Sequence, residues 1–247
     1  MGSLNRQIVT YCLGILLREG LVLASDSRSS AGVDQVTHVR KLGFLPVPTG
    51  CFAAIMSSGN LATSQAVVST LRERAGSGQA GLDLMAAKTL FEVAGIVGGI
   101  LRSIVERDGR YVAPYGDAAA GFLVGGQMTG EQPRLFQIYP AGNFVEATDR
   151  APFLQIGETK YGKPILVRAL TIETSLEEAA KLALLSFDAT LRSNVSVGMP
   201  IDLLTFVADS FSTESVRTIE VHDPYWMALR EAYGAGLADL IDRLPTP

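Results

Sequence analysis

The chain has 247 residues, of which 47% are apolar and 19% are charged, and its formal net charge is −4. Abundant aliphatic residues with a small net charge exclude intrinsic disorder, and a chain of this length can bury a substantial core. An isoelectric point of about 5.3 argues against nucleic acid as a partner. The longest apolar stretch is shorter than the roughly 20 residues that span a bilayer, so we expect no membrane segment.

Apolar content and cysteine count predict the setting in which the protein works. A mean hydropathy of +0.25 exceeds the needs of one core, which predicts a homo-oligomer with apolar subunit interfaces. Cys12 and Cys51 are too few for a disulfide framework, and the first residues lack the features of a signal peptide. We therefore expect a cytoplasmic protein.

The first half of the chain predicts strands followed by two helices. β-Branched and aliphatic runs, separated by turn residues, predict strands at 8–17, 21–25, 36–45 and 51–56. Apolar residues at helical spacing then predict helices over 60–74 and 82–106. The second of these helices is apolar on most of its faces, which indicates a buried position.

The second half returns to strands, which we expect at 118–125, 134–139, 143–147, 200–208 and 216–221. Ser175 followed by Glu178 is the pattern of a capping box and predicts a helix that reaches about residue 192. Asp223 and Pro224 begin a last helix. Strands and helices grouped in runs predict an α+β fold, with two sheets packed face to face and helices outside.

Most familiar catalytic motifs are missing from the sequence. His38 and His222 offer no metal-ligand spacing, so we expect no metal. Neither a phosphate-binding loop nor a dinucleotide motif is present, so we expect no cofactor. Residues 194–198 approach a nucleophile elbow, but they follow a helix rather than a strand, which disfavours a serine hydrolase.

The opening strands hold the informative polar residues. Thr10 lies on the first strand, Asp26 ends the second, Lys41 lies on the next strand, and Gly59 precedes the first helix. This order resembles the proteasome β-subunit family, whose nucleophile is a threonine at the start of the mature chain. The resemblance implies that Thr10, Asp26 and Lys41 are catalytic. It also implies that Gly59 is an oxyanion-hole donor and that Ser196 is a matched supporting residue.

Longer stretches resemble one branch of that family, the Anbu proteins. They comprise residues 10–12, 25–28, 31–34, 59–64, 155–164, 192–202 and 223–225. The resemblance implies a four-layer αββα sandwich of the N-terminal-nucleophile hydrolase type, a peptide or amide substrate, and a large homo-oligomer of open or helical form. The chain contains no ATP site, so energy-dependent unfolding of a substrate would need a separate ATP-dependent partner.

Elementary chemistry supports the same residues. A threonine hydroxyl is a poor nucleophile until a base takes its proton, and a free α-amine with a pKa of about 8 is a suitable base. Lys41 would hold positive charge beside the Thr10 hydroxyl and favour the alkoxide, and Asp26 would orient Lys41. A backbone N–H at Gly59 has no Cβ in its way and suits a developing oxyanion.

Each of these residues also has an ordinary structural interpretation. Thr10 fits any strand, Asp26 fits a turn at a strand end, and Lys41 fits a solvated edge strand. Because side chains alternate along a strand, a register slip would turn Arg40 or His38 inward in place of Lys41.

Nine residues precede Thr10, and Val9 stands where active proteasome subunits have glycine. An acylated Thr10 has an amide nitrogen, whose delocalised lone pair cannot act as a base. We therefore predict a silent site while residues 1–9 are attached. This extension is either propeptide-like or a product of cloning or of a misassigned start codon.

Two further departures from the proteasome pattern concern supporting residues. Gly157 with Glu158 replaces a Ser-Gly pair, and Ser193 replaces an aspartate. Glu158 could add negative charge near the catalytic pair, supply another proton acceptor, or favour a helix N-terminus. Two alternatives to the peptidase stay open: a catalytically silent structural or binding subunit of the same fold, and a small-molecule amidase.

The domain expectation follows from these observations. Residues 1–9 form the extension, 10–222 the hydrolase domain, and 223–247 a helical segment that could serve assembly. The helix over 82–106 and the aromatic segment 224–227 are candidate subunit contacts, because Trp, Tyr and Met are typical interface anchors. The alternative for the last helix is that it covers its own sheet.

Overall fold

A computed structural model describes residues 10–30, 36–213 and 216–246 of the chain. The extension predicted over 1–9 and the matching stretch 31–34 lie outside the described residues. None of the helices within these ranges has the length and apolar character needed to cross a bilayer.

Two five-stranded antiparallel sheets form the centre of the described fold. The first sheet contains β1 (Tyr11–Leu17), β2 (Gly20–Asp26), β10 (Phe153–Gly157), β11 (Ile201–Val207) and β12 (Val216–Ile219), in the order β10-β1-β2-β11-β12. The second contains β5 (Leu42–Phe44), β6 (Phe52–Gly59), β7 (Ala120–Gln127), β8 (Arg134–Ile138) and β9 (Phe144–Glu146), in chain order. Between them in sequence, β3 (Arg28–Ser30) and β4 (Val36–His38) form a hairpin.

Five helices among the described residues cover the outer faces of the sheets. They are α1 (Leu61–Arg74), α2 (Leu90–Val112), α3 (Lys163–Ala169), α4 (Leu176–Ser193) and α5 (Pro224–Arg243). The predicted capping box is confirmed, because the Ser175 hydroxyl accepts from the Glu178 N–H while the Glu178 carboxylate accepts from the Ser175 N–H. The last helix is capped by Asp223, whose carboxylate accepts from the Trp226 N–H at 3.1 Å.

Alternation of side chains along the strands divides the core into three layers. On β1, Tyr11 and Leu13 pack with Phe187 of α4, whereas the intervening Cys12 faces the second sheet. The outer face of β7 packs against α2, for example through Phe122. The predicted four-layer αββα sandwich is therefore confirmed.

The prediction that the second helix begins at residue 82 is wrong. Asp83 accepts hydrogen bonds from the N–H groups of Gly76, Gly78 and Met85, which holds a separate turn ahead of the helix. Thr89 then caps α2 by accepting from the Glu92 N–H at 3.1 Å. The apolar pattern runs through both elements, so it hid the boundary between them.

Candidate active site

Three polar side chains meet where β1 begins and β2 ends. The Thr10 hydroxyl donates to Asp26 Oδ1 at 2.5 Å, and Lys41 Nζ donates to the Thr10 Oγ1 and, at 2.5 Å, to the same Asp26 oxygen. Asp26 is fully buried, and the Lys41 side chain is only 9% exposed. The structure therefore brings together the three side chains that the sequence singled out.

Backbone groups complete the surroundings of the ion pair. Asp26 also accepts from the Tyr11 N–H at 3.1 Å and, through its second oxygen, from the Gly198 N–H at 3.3 Å. The third donor of the Lys41 ammonium bonds the Arg28 carbonyl at 2.5 Å. Both charges are thus paired and hydrogen-bonded, as burial requires.

A break in the predicted strand 36–45 turns Lys41 inward. The segment between β4 and β5 contains no ladder positions, and Lys41 directly precedes β5. Arg40 is exposed and bonds Asp202 at 3.2 Å, and His38 is exposed as well. The alternative in which Arg40 or His38 takes the inward position is therefore wrong.

The backbone of Thr10 has a defined orientation. Its carbonyl accepts from the Glu158 N–H at 2.6 Å, on the β10 side, whereas the next N–H, that of Tyr11, faces Asp26 on the β2 side. In an extended strand the N–H and C=O of one residue point to the same side. The Thr10 nitrogen therefore faces β10, away from the carboxylate that receives its hydroxyl.

Gly157 makes this close pairing of β1 and β10 feasible. Its φ of +84° lies in a region that favours glycine, and a Cβ there would collide with the Thr10 carbonyl oxygen. A glycine at this point lets the β10 backbone reach Thr10. The sequence alone indicates Gly157 only as half of a replaced Ser-Gly pair.

Gly59 ends β6 in a conformation that directs its N–H away from β7. Its φ is +93°, and a Cβ would lie 2.5 Å from the Ala119 oxygen. The Asn60 N–H donates to that oxygen at 2.8 Å, and because ladder bonds alternate, the Gly59 N–H points to the other side of β6. That side faces β5 and the segment that carries Lys41.

Glu158 lies beside Thr10 but its carboxylate is directed elsewhere. One oxygen accepts from the Lys160 N–H at 2.9 Å and the other from the Asn194 side-chain amide at 3.0 Å. Among the described residues its carboxylate therefore bonds neither the Asp26–Lys41 pair nor the first turn of α3, and its role as another proton acceptor stays a prediction. Asn194, 36 residues away in sequence, is a partner that local patterns could not reveal.

The two serines are not part of the hydrogen-bonded cluster. Ser193 is exposed at the end of α4, and Ser196 is half-buried, with its N–H donating to the Asn194 side chain at 2.9 Å. Within the described part of the chain, neither hydroxyl bonds Thr10, Asp26 or Lys41. In the same loop, the Gly198 N–H donates to Asp26. Gly198 lies in the stretch 192–202, whose resemblance to the Anbu proteins is the sequence feature that points to this loop.

The side chains of Tyr11 and Cys12, next to Thr10, are held neutral. Burial raises the pKa of Tyr11 to about 12, although hydrogen bonds with Ser186 at 2.6 Å and Gln155 at 2.7 Å partly oppose this. Burial also raises the pKa of the Cys12 thiol, and the nearby Lys41 only partly offsets it. Neither residue can serve as a charged nucleophile at neutral pH.

A cavity of about 320 Å³ opens next to the cluster, and Gly59 and Gly157 both line it. Across residues 10–30, 36–213 and 216–246, no group of three or more His, Cys, Asp or Glu side chains is arranged to hold a metal ion.

Comparisons with known proteins agree on one family, although no protein-family profile matches the chain. The structure of Anbu (ancestral beta-subunit) from Yersinia bercovieri is 43% identical with a TM-score of 0.89, over 96% of this chain and 98% of that one. The helical assembly of the Anbu complex from Pseudomonas aeruginosa gives the same four values. Proteasome subunit beta 1 of Thermococcus kodakarensis is 29% identical over 206 residues, 82% of this chain and 90% of the relative.

Proposed function

The chain belongs to the Anbu family of proteasome-like β-subunits, and on that premise we propose that it is a threonine hydrolase of peptide or amide bonds with Thr10 as its nucleophile. The observation that carries the proposal is the Lys41 ammonium, which donates to both the Thr10 hydroxyl and Asp26 inside a buried site. A fixed positive charge in hydrogen-bond contact with the Thr10 hydroxyl stabilises the Thr10 alkoxide that nucleophilic attack requires.

In the proposed first step, Thr10 Oγ1 attacks the substrate carbonyl while the Thr10 α-amine takes the hydroxyl proton. The carbonyl oxygen becomes an oxyanion, for which the Gly59 N–H is the proposed donor. One donor of this kind contributes about 3 kcal/mol in comparable sites. Asp26 and the Arg28 carbonyl hold the Lys41 ammonium in place beside the reacting hydroxyl.

In the second step the protonated amine passes its proton to the leaving nitrogen, and the C–N bond breaks. The acyl group is left as an ester on Thr10 Oγ1. Water, deprotonated by the same amine, then attacks the ester, releases the acid and restores the threonine hydroxyl. Each proton taken is returned, so no co-reactant besides water is needed.

The mechanism needs a free Thr10 amine, and hence a chain that starts at Thr10. With Val9 attached, the nitrogen is an amide and has no basic lone pair. We propose that removal of residues 1–9 switches the site on.

The test uses two inhibitor classes on a chain released so that Thr10 is its first residue. A β-lactone acylates a hydroxyl alone, whereas an epoxyketone needs the hydroxyl and the amine of one residue. We expect intact mass spectrometry to find one adduct of each on this chain, mapped to Thr10. The 247-residue chain should give no epoxyketone adduct.

The matched control is Thr10→Ala in the same processed chain, which should remain unmodified by both reagents. A processed, folded chain that takes up neither reagent would contradict the proposal and support the silent structural subunit. Thr10→Ser should still react, since it keeps both groups.

We also propose that the chain assembles into a homo-oligomer. This is supported by the helical assembly of the Pseudomonas aeruginosa Anbu complex and by the exposed outer half of α5, from Glu231 onward. A separate ATP-dependent partner and a cytoplasmic location remain predictions from the sequence.

A further inference from the structure

The cavity beside the site lies on the side of Thr10 that faces β10. Its volume is about 320 Å³, at the lower end of ligand pockets, and it is formed by the ends of β6, β7, β8 and β10. Gly157, which pairs with β1 next to Thr10, lines it on one side, and Gly59 lines it on the other. A substrate held at Thr10 would therefore extend part of itself into this space.

The orientation of Thr10 indicates which part of the substrate that is. This step rests on the proposed function, in which the Thr10 amine gives its proton to the leaving nitrogen. The amine faces β10, while the hydroxyl faces Asp26 and Lys41 on the β2 side. The leaving group must approach from the amine side, which is the side of the cavity.

The side chains that line the cavity explain why it forms between the two sheets. On the inner face of the second sheet, Leu123 and Leu135 fill the space between the sheets, but the next inward positions are Gly121 and Gln137. These two, together with Ser58, give the sheets too little side-chain volume to close the gap. The inter-sheet core thus opens into a pocket at its active-site end.

The electrostatics of the pocket select against charge. Of its lining residues, none carries a side chain that is charged at neutral pH. Gln137 is half-buried, and its amide forms no hydrogen bond with the described residues. A charged side chain entering this space would lose hydration without gaining a counter-charge, whereas a neutral one would lose little.

We infer that this pocket binds an uncharged side chain of the leaving peptide, the one that follows the scissile bond, with the Gln137 amide as its polar contact. The substrate class is therefore a peptide with a neutral residue directly after the cleaved bond. The position before the bond is not constrained by this pocket.

The test is cleavage of an equimolar library of short synthetic peptides by the chain that starts at Thr10, with cut sites identified by mass spectrometry. We expect neutral residues after the cut to exceed Asp, Glu, Lys and Arg by about tenfold. Gln137→Glu should raise Lys and Arg at that position about tenfold, and Gln137→Lys should raise Asp and Glu instead. In both Gln137 variants, the preference for the residue directly before the cleaved bond should not change.

Gln79→Glu is the matched control, because it adds the same charge on an exposed loop and should cut like the unmodified chain. The reciprocal pair at 137 also guards against misfolding, since a damaged fold would not reverse its preference with the sign of the charge. Equal cutting before charged and neutral residues, or Gln137 variants without effect on the position after the cut, would overturn the inference and leave the proposed function standing.

A second readout does not depend on turnover. Saturation-transfer NMR on the Thr10→Ala chain would compare phenylalaninamide, glutamic acid amide and lysinamide as mimics of the leaving group. We expect phenylalaninamide to bind, and the Gln137→Glu substitution to shift binding to lysinamide. If no peptide is cut and Thr10 takes no adduct, the proposed function fails, and these binding preferences alone decide for or against the pocket; indifference to charge would overturn it.

Discussion

At the scale of single residues, Asp26 and Lys41 form a buried ion pair on which the site depends. Asp26 receives hydrogen bonds from two side chains and two backbone N–H groups, and Lys41 satisfies all three of its donors. Removing one partner leaves an uncompensated buried charge, which costs about 3–5 kcal/mol. The pair is therefore structural as well as catalytic in the proposed mechanism.

Lys41→Met should lower the free energy of unfolding by about 3 kcal/mol and abolish labelling of Thr10 in the processed chain. Denaturant titration and intact mass measure the two effects. Lys181→Met is the matched control: Lys181 and its ion-pair partner Glu177 are both exposed, at 42% and 81%, so its loss should leave stability nearly unchanged and labelling intact. Equal effects of the two substitutions would contradict the inward assignment of Lys41.

Gly157 provides a second prediction, with a control of matching geometry. Gly157 and Gly130 both have a φ of +84°, but a Cβ meets the Thr10 carbonyl at 157 and open space at 130. Gly130→Ala should therefore cost only the backbone strain of about 1–2 kcal/mol. Gly157→Ala should cost about 3 kcal/mol or more and slow labelling of Thr10, because β10 must move away from β1.

The residues of the cluster differ in how far the sequence could predict them. The order of Thr10, Asp26 and Lys41 along the chain predicts the cluster through its resemblance to the proteasome β-subunit family. Side-chain alternation alone leaves Arg40 or His38 as alternatives to Lys41 at the inward position. The break before β5 settles that choice, and a break is not visible in an apolar pattern. The Asn194 contact of Glu158 joins two loops distant in sequence, so it follows from the fold alone.

At the scale of elements, sequence patterns predicted the strands and helices with strong local signals. The capped helices α1 and α4 begin close to their predicted positions. By contrast, α3 begins at Lys163 after Gly162, which provides no side-chain cap. β10 is a short strand at one edge of its sheet, where it pairs with β1, and neither element was predicted. Since β10 positions Thr10 and lines the pocket, its absence from the sequence prediction also hid the pocket.

Tyr11 links three of these elements and gives the fold a pH dependence. Its hydroxyl joins β1 to α4 through Ser186 and to β10 through Gln155. Its pKa is raised from 10.0 to about 12, so between these values the unfolded chain releases the proton first, and stability falls as pH rises. The loss should reach about 2–3 kcal/mol at pH 12.

Tyr11→Phe should remove this part of the alkaline loss, which denaturant titrations between pH 9 and pH 12 would measure. At neutral pH it should cost about 1–3 kcal/mol, because Ser186 and Gln155 lose their partner. Tyr115→Phe, at a side chain that is 92% exposed, should keep the slope of the unmodified chain. The Cys12 thiol is present in all three proteins, so it makes the same contribution to the pH dependence of stability in each. If the stability of Tyr11→Phe and Tyr115→Phe fell with pH at the same rate, the assignment of this pH dependence to Tyr11 would be wrong.

At the scale of the whole molecule, α5 is buried near its start and exposed along its outer half. Trp226 is 2% exposed and packs in the core with α4, so this residue of the segment 224–227 belongs to its own fold, while Tyr225 and Met227 are exposed and the subunit contact of the segment stays a prediction. Farther along the helix the apolar side chains are exposed on one face, at Tyr233, Leu237, Leu240, Ile241 and Leu244. Deleting residues 224–247 would remove Trp226 from the core and destabilise the fold. Point substitutions on the outer half of α5 therefore test its role in assembly more specifically.

The double variant Leu237→Glu with Ile241→Glu should reduce the assembly to smaller species, because charges on an apolar contact lose hydration without a partner. Light scattering coupled to size exclusion measures the mass, and the melting temperature should stay unchanged, since both side chains are exposed, at 46% and 61%. Ala235→Glu on the opposite face of the same helix should assemble as the unmodified chain does. An unchanged mass for the double variant would show that the subunits meet elsewhere, and the apolar surface of α2 would be the next to substitute.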